Sequence, residues 1–81
     1  MDIGNRVKKI LVSVNGIPNK DTHDILEFLE HGEWGVAFEV LCSVIEQENL
    51  SINAAQYNEI VDIGHDMDMD DTLWVRIKPA S

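Results

Sequence analysis

The sequence predicts an all-α protein: a small four-helix-bundle-like domain with a short fifth element toward its C-terminal end. Two observations carry that prediction. Apolar residues recur at spacings of three and four through most of the 81 residues. Turn formers and capping residues punctuate the pattern at Asn15–Lys20, at Gly32 and at Asn49–Asn53. A chain of this length has room for one core, so residues 1–81 read as a single domain. It buries only about 60% of its extended surface, and its stability is expected to be modest.

The first helix is expected over Asp2–Val14. Ile3, Val7, Ile10, Leu11 and Val14 fall on one face, while Gly4 weakens the first turn. Asn-Gly and Pro then break the chain. A second helix is expected to begin near Asp21 or Thr22, either of which can cap its free amides. Ile25, Leu26, Phe28 and Leu29 form its apolar face, and Glu27 and Glu30 face water. Gly32 suits the left-handed position just past its end.

The third helix is expected from about Glu33 to Glu48. Trp34, Ala37, Phe38, Leu41 and Ile45 make one stripe, and Val36, Val40 and Val44 a second beside it. A helix apolar over most of its circumference is covered on several sides, so this one is predicted to be central. The fourth helix has the best-marked start. Asn53 with Gln56 forms a capping box, and Ile52 with Tyr57 a hydrophobic staple. Its end is expected to fray near Gly64–Asp66. Asp66–Asp71 alternates methionine with acid in a strand-like way, but four carboxylates in six residues argue against a two-sided strand. A short helical turn capped by Asp70 or Asp71 is expected instead, then an extended end at Pro79.

Charge is distributed unevenly. Residues 21–71 hold fourteen carboxylates and no Lys or Arg, while Arg6, Lys8, Lys9 and Lys20 precede them and Arg76 and Lys78 follow. An acidic body of this kind repels nucleic acid and anionic membrane, attracts basic partners and speeds their encounter. No apolar run exceeds three residues, so no membrane span or signal-peptide core is expected. With one cysteine, Cys42, there is no internal disulfide framework. Together these features suggest a soluble, cytoplasmic protein.

Enzymatic and metal chemistries find little support. Counted from Asp66, an EF-hand loop matches at positions 1, 3 and 5. It fails at 6, where Asp71 replaces the turn glycine, and at 12, where Ile77 cannot ligate. His23, Glu27 and His31 share a helix face, but the two histidines stand about 12 Å apart. Cys42 lies in an apolar helix without a basic neighbour and reads as a small core residue. No glycine-rich phosphate loop or paired nucleophile and base is present. No catalytic residue, cofactor or metal ligand is assigned, and the chain is not expected to be an enzyme.

The run Phe28-Leu29-Glu30-His31-Gly32-Glu33-Trp34-Gly35-Val36-Ala37-Phe38-Glu39-Val40-Leu41-Cys42, with the later Asn53-Ala54-Ala55-Gln56-Tyr57-Asn58-Glu59-Ile60, resembles the MafI-like immunity proteins of bacterial polymorphic and contact-dependent growth inhibition systems. The resemblance covers roughly residues 22–66. It implies a small helical protein that binds the C-terminal domain of its cognate toxin and neutralises it. Toxins of this class are often nucleases, including EndoU-like ribonucleases. The charge pattern agrees, because a nuclease cleft is built to attract phosphate and an acidic surface can occlude it by the same field. The shared block itself reads as fold-specifying: Gly32 makes a turn, and Ala37, Leu41 and Cys42 are core.

Toxin contacts are therefore expected on exposed acids. The leading candidates are Asp62, Asp66, Asp68, Asp70 and Asp71, with Trp74 as an aromatic anchor; Glu27 and Glu30 come next. Neutralising the Asp cluster is expected to leave the free protein as stable or slightly more so. Two other readings stay open. One is an acidic adaptor or nucleic-acid mimic unrelated to toxins, and the other a small metal-binding regulator using the Asp cluster.

Overall fold

A computed structural model describes residues 2–77 and Pro79. Four α-helices run in the order α1 (Ile3–Ser13), α2 (Asn19–Glu30), α3 (Trp34–Gln47) and α4 (Ala54–Asp66), followed by a 3-10 turn at Asp71–Leu73. There is no strand among the described residues. No helix in them is long and apolar enough to cross a membrane. The expected extended end around Pro79 falls largely outside the described residues.

Each helix ends for a local reason. Asp2 caps α1 by accepting a hydrogen bond from the Asn5 amide at 3.0 Å. The start of α2 departs from expectation. Neither Asp21 nor Thr22 caps it; the helix begins at Asn19, directly after Pro18, whose locked φ leads the chain into the first turn. Asp21 lies within that turn, where its charge suits the helix dipole. At the start of α4 the expected capping box is complete. Asn53 Oδ1 accepts from the Gln56 backbone amide, and Gln56 Oε1 accepts in return from the Asn53 backbone amide. The Gln56 amide nitrogen also donates to the Ser13 carbonyl at 3.1 Å, tying the start of α4 to the end of α1.

The C-termini of α2, α3 and α4 share one solution. In each, a left-handed residue sits after the cap, at Gly32, Asn49 and Asp68 respectively. The next residue's amide then reaches back to a carbonyl five positions earlier, as in Glu33 to Phe28, Leu50 to Ile45 and Met69 to Gly64. The end of α4 is therefore closed rather than frayed. Asp68 holds φ +55° there, a region that suits glycine better than aspartate. Asp68→Gly is expected to raise stability by up to about 1 kcal/mol, read as a higher thermal midpoint. A lower midpoint would show that the aspartate does more at this turn than close it.

The core gathers Val7, Ile10 and Leu11 of α1, Ile25 of α2, Ala37, Phe38, Leu41, Cys42 and Ile45 of α3, and Ile60 and Ile63 of α4. Helix α3 contributes the most buried residues, as its circumference predicts. It packs against α1, α2 and the 3-10 turn. Helix α4, however, docks chiefly on α1, so α1 shares the central position that the sequence reading gave to α3 alone. The Met-Asp alternation resolves into a turn: Met67 and Met69 pack on the core while Asp68 and Asp70 face solvent.

Arg6 locks α1 to α4. Its guanidinium donates from Nη2 to Glu59 Oε1 at 2.9 Å and from Nη1 to Asp66 Oδ2 at 2.5 Å. Glu59 and Asp66 lie seven residues apart, two turns along the same helix face, so one planar cation reaches both. The Glu59 hydrogen bond, then that of Asp66, raises the proton affinity of Arg6 further still.

Candidate partner-binding surface

The five aspartates singled out from the sequence do not act as one free cluster. Asp62 and Asp71 are exposed and take part in no ion pair among the described residues. Asp68 is exposed in the left-handed turn position. Asp66 is engaged by Arg6. Asp70 caps the 3-10 turn, accepting from the Thr72 amide at 2.9 Å. That backbone hydrogen bond holds the Asp70 carboxyl below the usual carboxylate range. Neutralising all five would therefore remove a helix-locking ion pair and a cap. The expectation that the free protein would be unaffected is corrected for Asp66 and Asp70.

Trp74 is also corrected as a surface anchor. It is 3% exposed, its ring edge-on to Phe38 and His65 at centroid distances of 6.2 and 5.7 Å. It lies over Gly64, where the missing side chain leaves room for the indole. The tryptophan that does reach the surface is Trp34, 42% exposed. The sequence reading placed Trp34 in the core stripe because it stands one turn before Phe38. As the first residue of α3, it projects beyond the end of the core.

Trp34 opens onto a groove of about 490 Å³ between α1, α2 and the first turn of α3. Leu26 and Leu29 share the lining with it, and Asp2, Lys8 and Glu30 supply the charged groups. Glu30, a secondary candidate from sequence, thus belongs to a shaped site. Glu27 is exposed on the same helix, 3.9 Å from His23 one turn before it.

The acidic body has few internal counter-charges. Of the fourteen carboxylates in residues 21–71, Glu59 and Asp66 pair with Arg6 and Glu46 with Arg76; the other eleven form no ion pair with a Lys or Arg among the described residues. None of them is buried. No three His, Cys, Asp or Glu side chains gather as metal ligands among the described residues.

Cys42 is 1% exposed inside α3, and burial pushes its thiol up to about 12, with Glu39 adding to the effect. The folded state therefore keeps its proton where the unfolded chain loses it, above the ordinary value of 9.0. Stability from this group is complete below pH 9 and declines as pH rises toward 12, by about 1.4 kcal/mol per unit at most. A disulfide-exchange reagent is expected to label Cys42 only in denaturant, and alkaline unfolding to shift upward in Cys42→Ala relative to its neutral-pH stability. Fast labelling of the native protein at pH 8 would contradict this.

No known family, curated protein or solved structure matches the chain.

Proposed function

We propose that this chain is a non-catalytic immunity protein that acts in the cytoplasm and neutralises a cognate toxin domain. The toxin would be a basic nuclease, an EndoU-like ribonuclease being one form. The observation that carries the reading is the set of eleven exposed or half-exposed carboxylates that form no ion pair with a Lys or Arg among the described residues. Like charges held at this density on a small fold repel one another, and a basic partner relieves that repulsion. A cleft that binds phosphate presents such a partner, and an acidic protein seated there excludes the substrate. The resemblance of residues 22–66 to MafI-like immunity proteins supports the same assignment.

The test is complex formation with the toxin encoded beside this chain's gene. Wild-type protein is expected to co-purify with that toxin and to suppress its nuclease activity. Association is expected to be steered, slowing on the order of tenfold or more as salt rises from low to several hundred millimolar. The triple variant Asp62→Asn, Asp68→Asn, Asp71→Asn spares the Arg6 ion pair and the Asp70 cap. It should slow association at low salt and leave the thermal midpoint unchanged or higher. An association rate indifferent to salt would overturn electrostatic steering, and uninhibited toxin would overturn the function.

A further inference from the structure

The geometry points to the groove at Trp34 as the seat for an arginine that a protein partner presents beside an aliphatic residue. This inference rests on the partner-binding reading above and adds the place where binding is anchored.

The lining has two parts that suit such an occupant. One is apolar: the Trp34 indole together with Leu26 and Leu29. Leu26 is 36% exposed and Trp34 more so, so two large apolar side chains that line one groove both meet solvent. The other part is charged. Asp2 and Glu30 both line the groove, and neither pairs with a Lys or Arg among the described residues. Among the described residues Lys8 is the one cation in the lining, so there the carboxylates are in excess. A guanidinium stacks on an indole face and is attracted by its quadrupole while its edge donates to carboxylates. An acidic or phosphorylated occupant would meet two carboxylates. A purely aliphatic one would leave Glu30 unanswered and Asp2 with its capping bond to the Asn5 amide alone.

The ring is also held in place. A Cβ on Gly4 would come within 2.8 Å of the Trp34 Nε1, so the indole rests directly on the bare backbone of α1. A fixed aromatic contributes to binding with little entropy left to lose, which is why tryptophan recurs at interface hot spots. The volume of about 490 Å³ is ample for an arginine side chain and the residue beside it. Glu27, exposed and next in sequence to the lining residue Leu26, lies on the same helix as Glu30. A basic surface that meets the acids of α2 is thereby brought toward the groove.

The experiment is a nitrogen–proton NMR titration of the full chain with the blocked tripeptide acetyl-Arg-Leu-Arg-amide, with acetyl-Glu-Leu-Glu-amide as its control. The two tryptophans report separately, because Trp74 is enclosed and Trp34 is not. The arginine peptide is expected to move the Trp34 indole signal and the amides of Asn5, Leu29 and Glu30 in a saturable way. The Trp74 indole should stay fixed, and the glutamate peptide should do nothing. Trp34→Ala is expected to weaken binding about two- to fivefold, the size of one exposed cation–π contact, and Leu26→Lys to weaken it at least about twofold by placing a like charge in the groove. Lys8→Gln should tighten it about twofold by removing the like charge. Shifts spread without saturation over the whole acidic body would overturn the inference. So would a Trp34 signal that moves with protein concentration alone, which would make the groove a contact between copies of this chain. Failure of the wild type to inhibit the toxin would sink the proposed function and leave this titration to decide the groove on its own.

Discussion

Gly64→Ala is expected to destabilise the protein by about 3 kcal/mol, the upper end of what overpacking costs. The sign is opposite to intrinsic helix propensity, which favours alanine over glycine by about 1 kcal/mol. A Cβ at position 64 would lie 2.2 Å from Trp74 Cζ3 and 2.5 Å from Cη2, far inside any real contact. The buried ring of Phe38 meets the indole edge-on and blocks its retreat on that side. Either α4 shifts off α1 or Trp74 leaves the core. Near-ultraviolet circular dichroism should show the Trp74 environment lost, and chemical denaturation a lower midpoint. A midpoint equal to or above that of the wild type would mean that the indole does not lie on this helix.

Phe38→Ala is expected to cost about 3–5 kcal/mol. Phe38 is fully buried and belongs to the helix that contributes most to the core. Small domains hold about 5–15 kcal/mol in total, so this one truncation removes a large share. Because Phe38 and Trp74 touch, their two alanine variants should not add. The double variant is expected to be less destabilised than the sum of the single ones. Urea denaturation of the four proteins checks this, and a Phe38→Ala cost below about 1 kcal/mol would contradict the packing described.

What could be read in advance was what local chemistry controls. The apolar circumference of α3 announces its burial, and Asn53 with Gln56 announces the start of α4, because both signals lie within a few residues. Gly32 is legible for the same reason. The start of α2 was misplaced because several residues there can cap, and the choice went to Pro18 through backbone geometry. The end of α4 was misjudged because an aspartate gives little sign of a left-handed φ.

The candidate surface was less legible, since its members are sorted by contacts distant in sequence. Asp66 looks like any exposed acid until Arg6, sixty residues earlier, is seen to hold it. Trp74 looks like an anchor until Gly64 is placed beneath it. Trp34 shares a helical stripe with Phe38, but it stands at the first position of α3, where Gly4 of α1 backs its ring, while Phe38 one turn on is met by Trp74. Glu27 and Glu30 required no such contact, and their exposure followed from the face of α2 alone.

The clamp between Arg6 and α4 also has a meaning in time. Its partners lie 53 and 60 residues downstream, so at ribosomal rates of about 5–20 residues per second they are made roughly 3–12 s after Arg6 itself. Through that interval the α1 stripe of Val7, Ile10 and Leu11 can meet α2 and α3 but not α4, which covers the rest of it. Closure of this fold is a late event in its synthesis, and α1, made before the other three helices, is among the last to be settled. During those seconds the nascent chain offers chaperones and proteases an apolar face that the finished protein never shows.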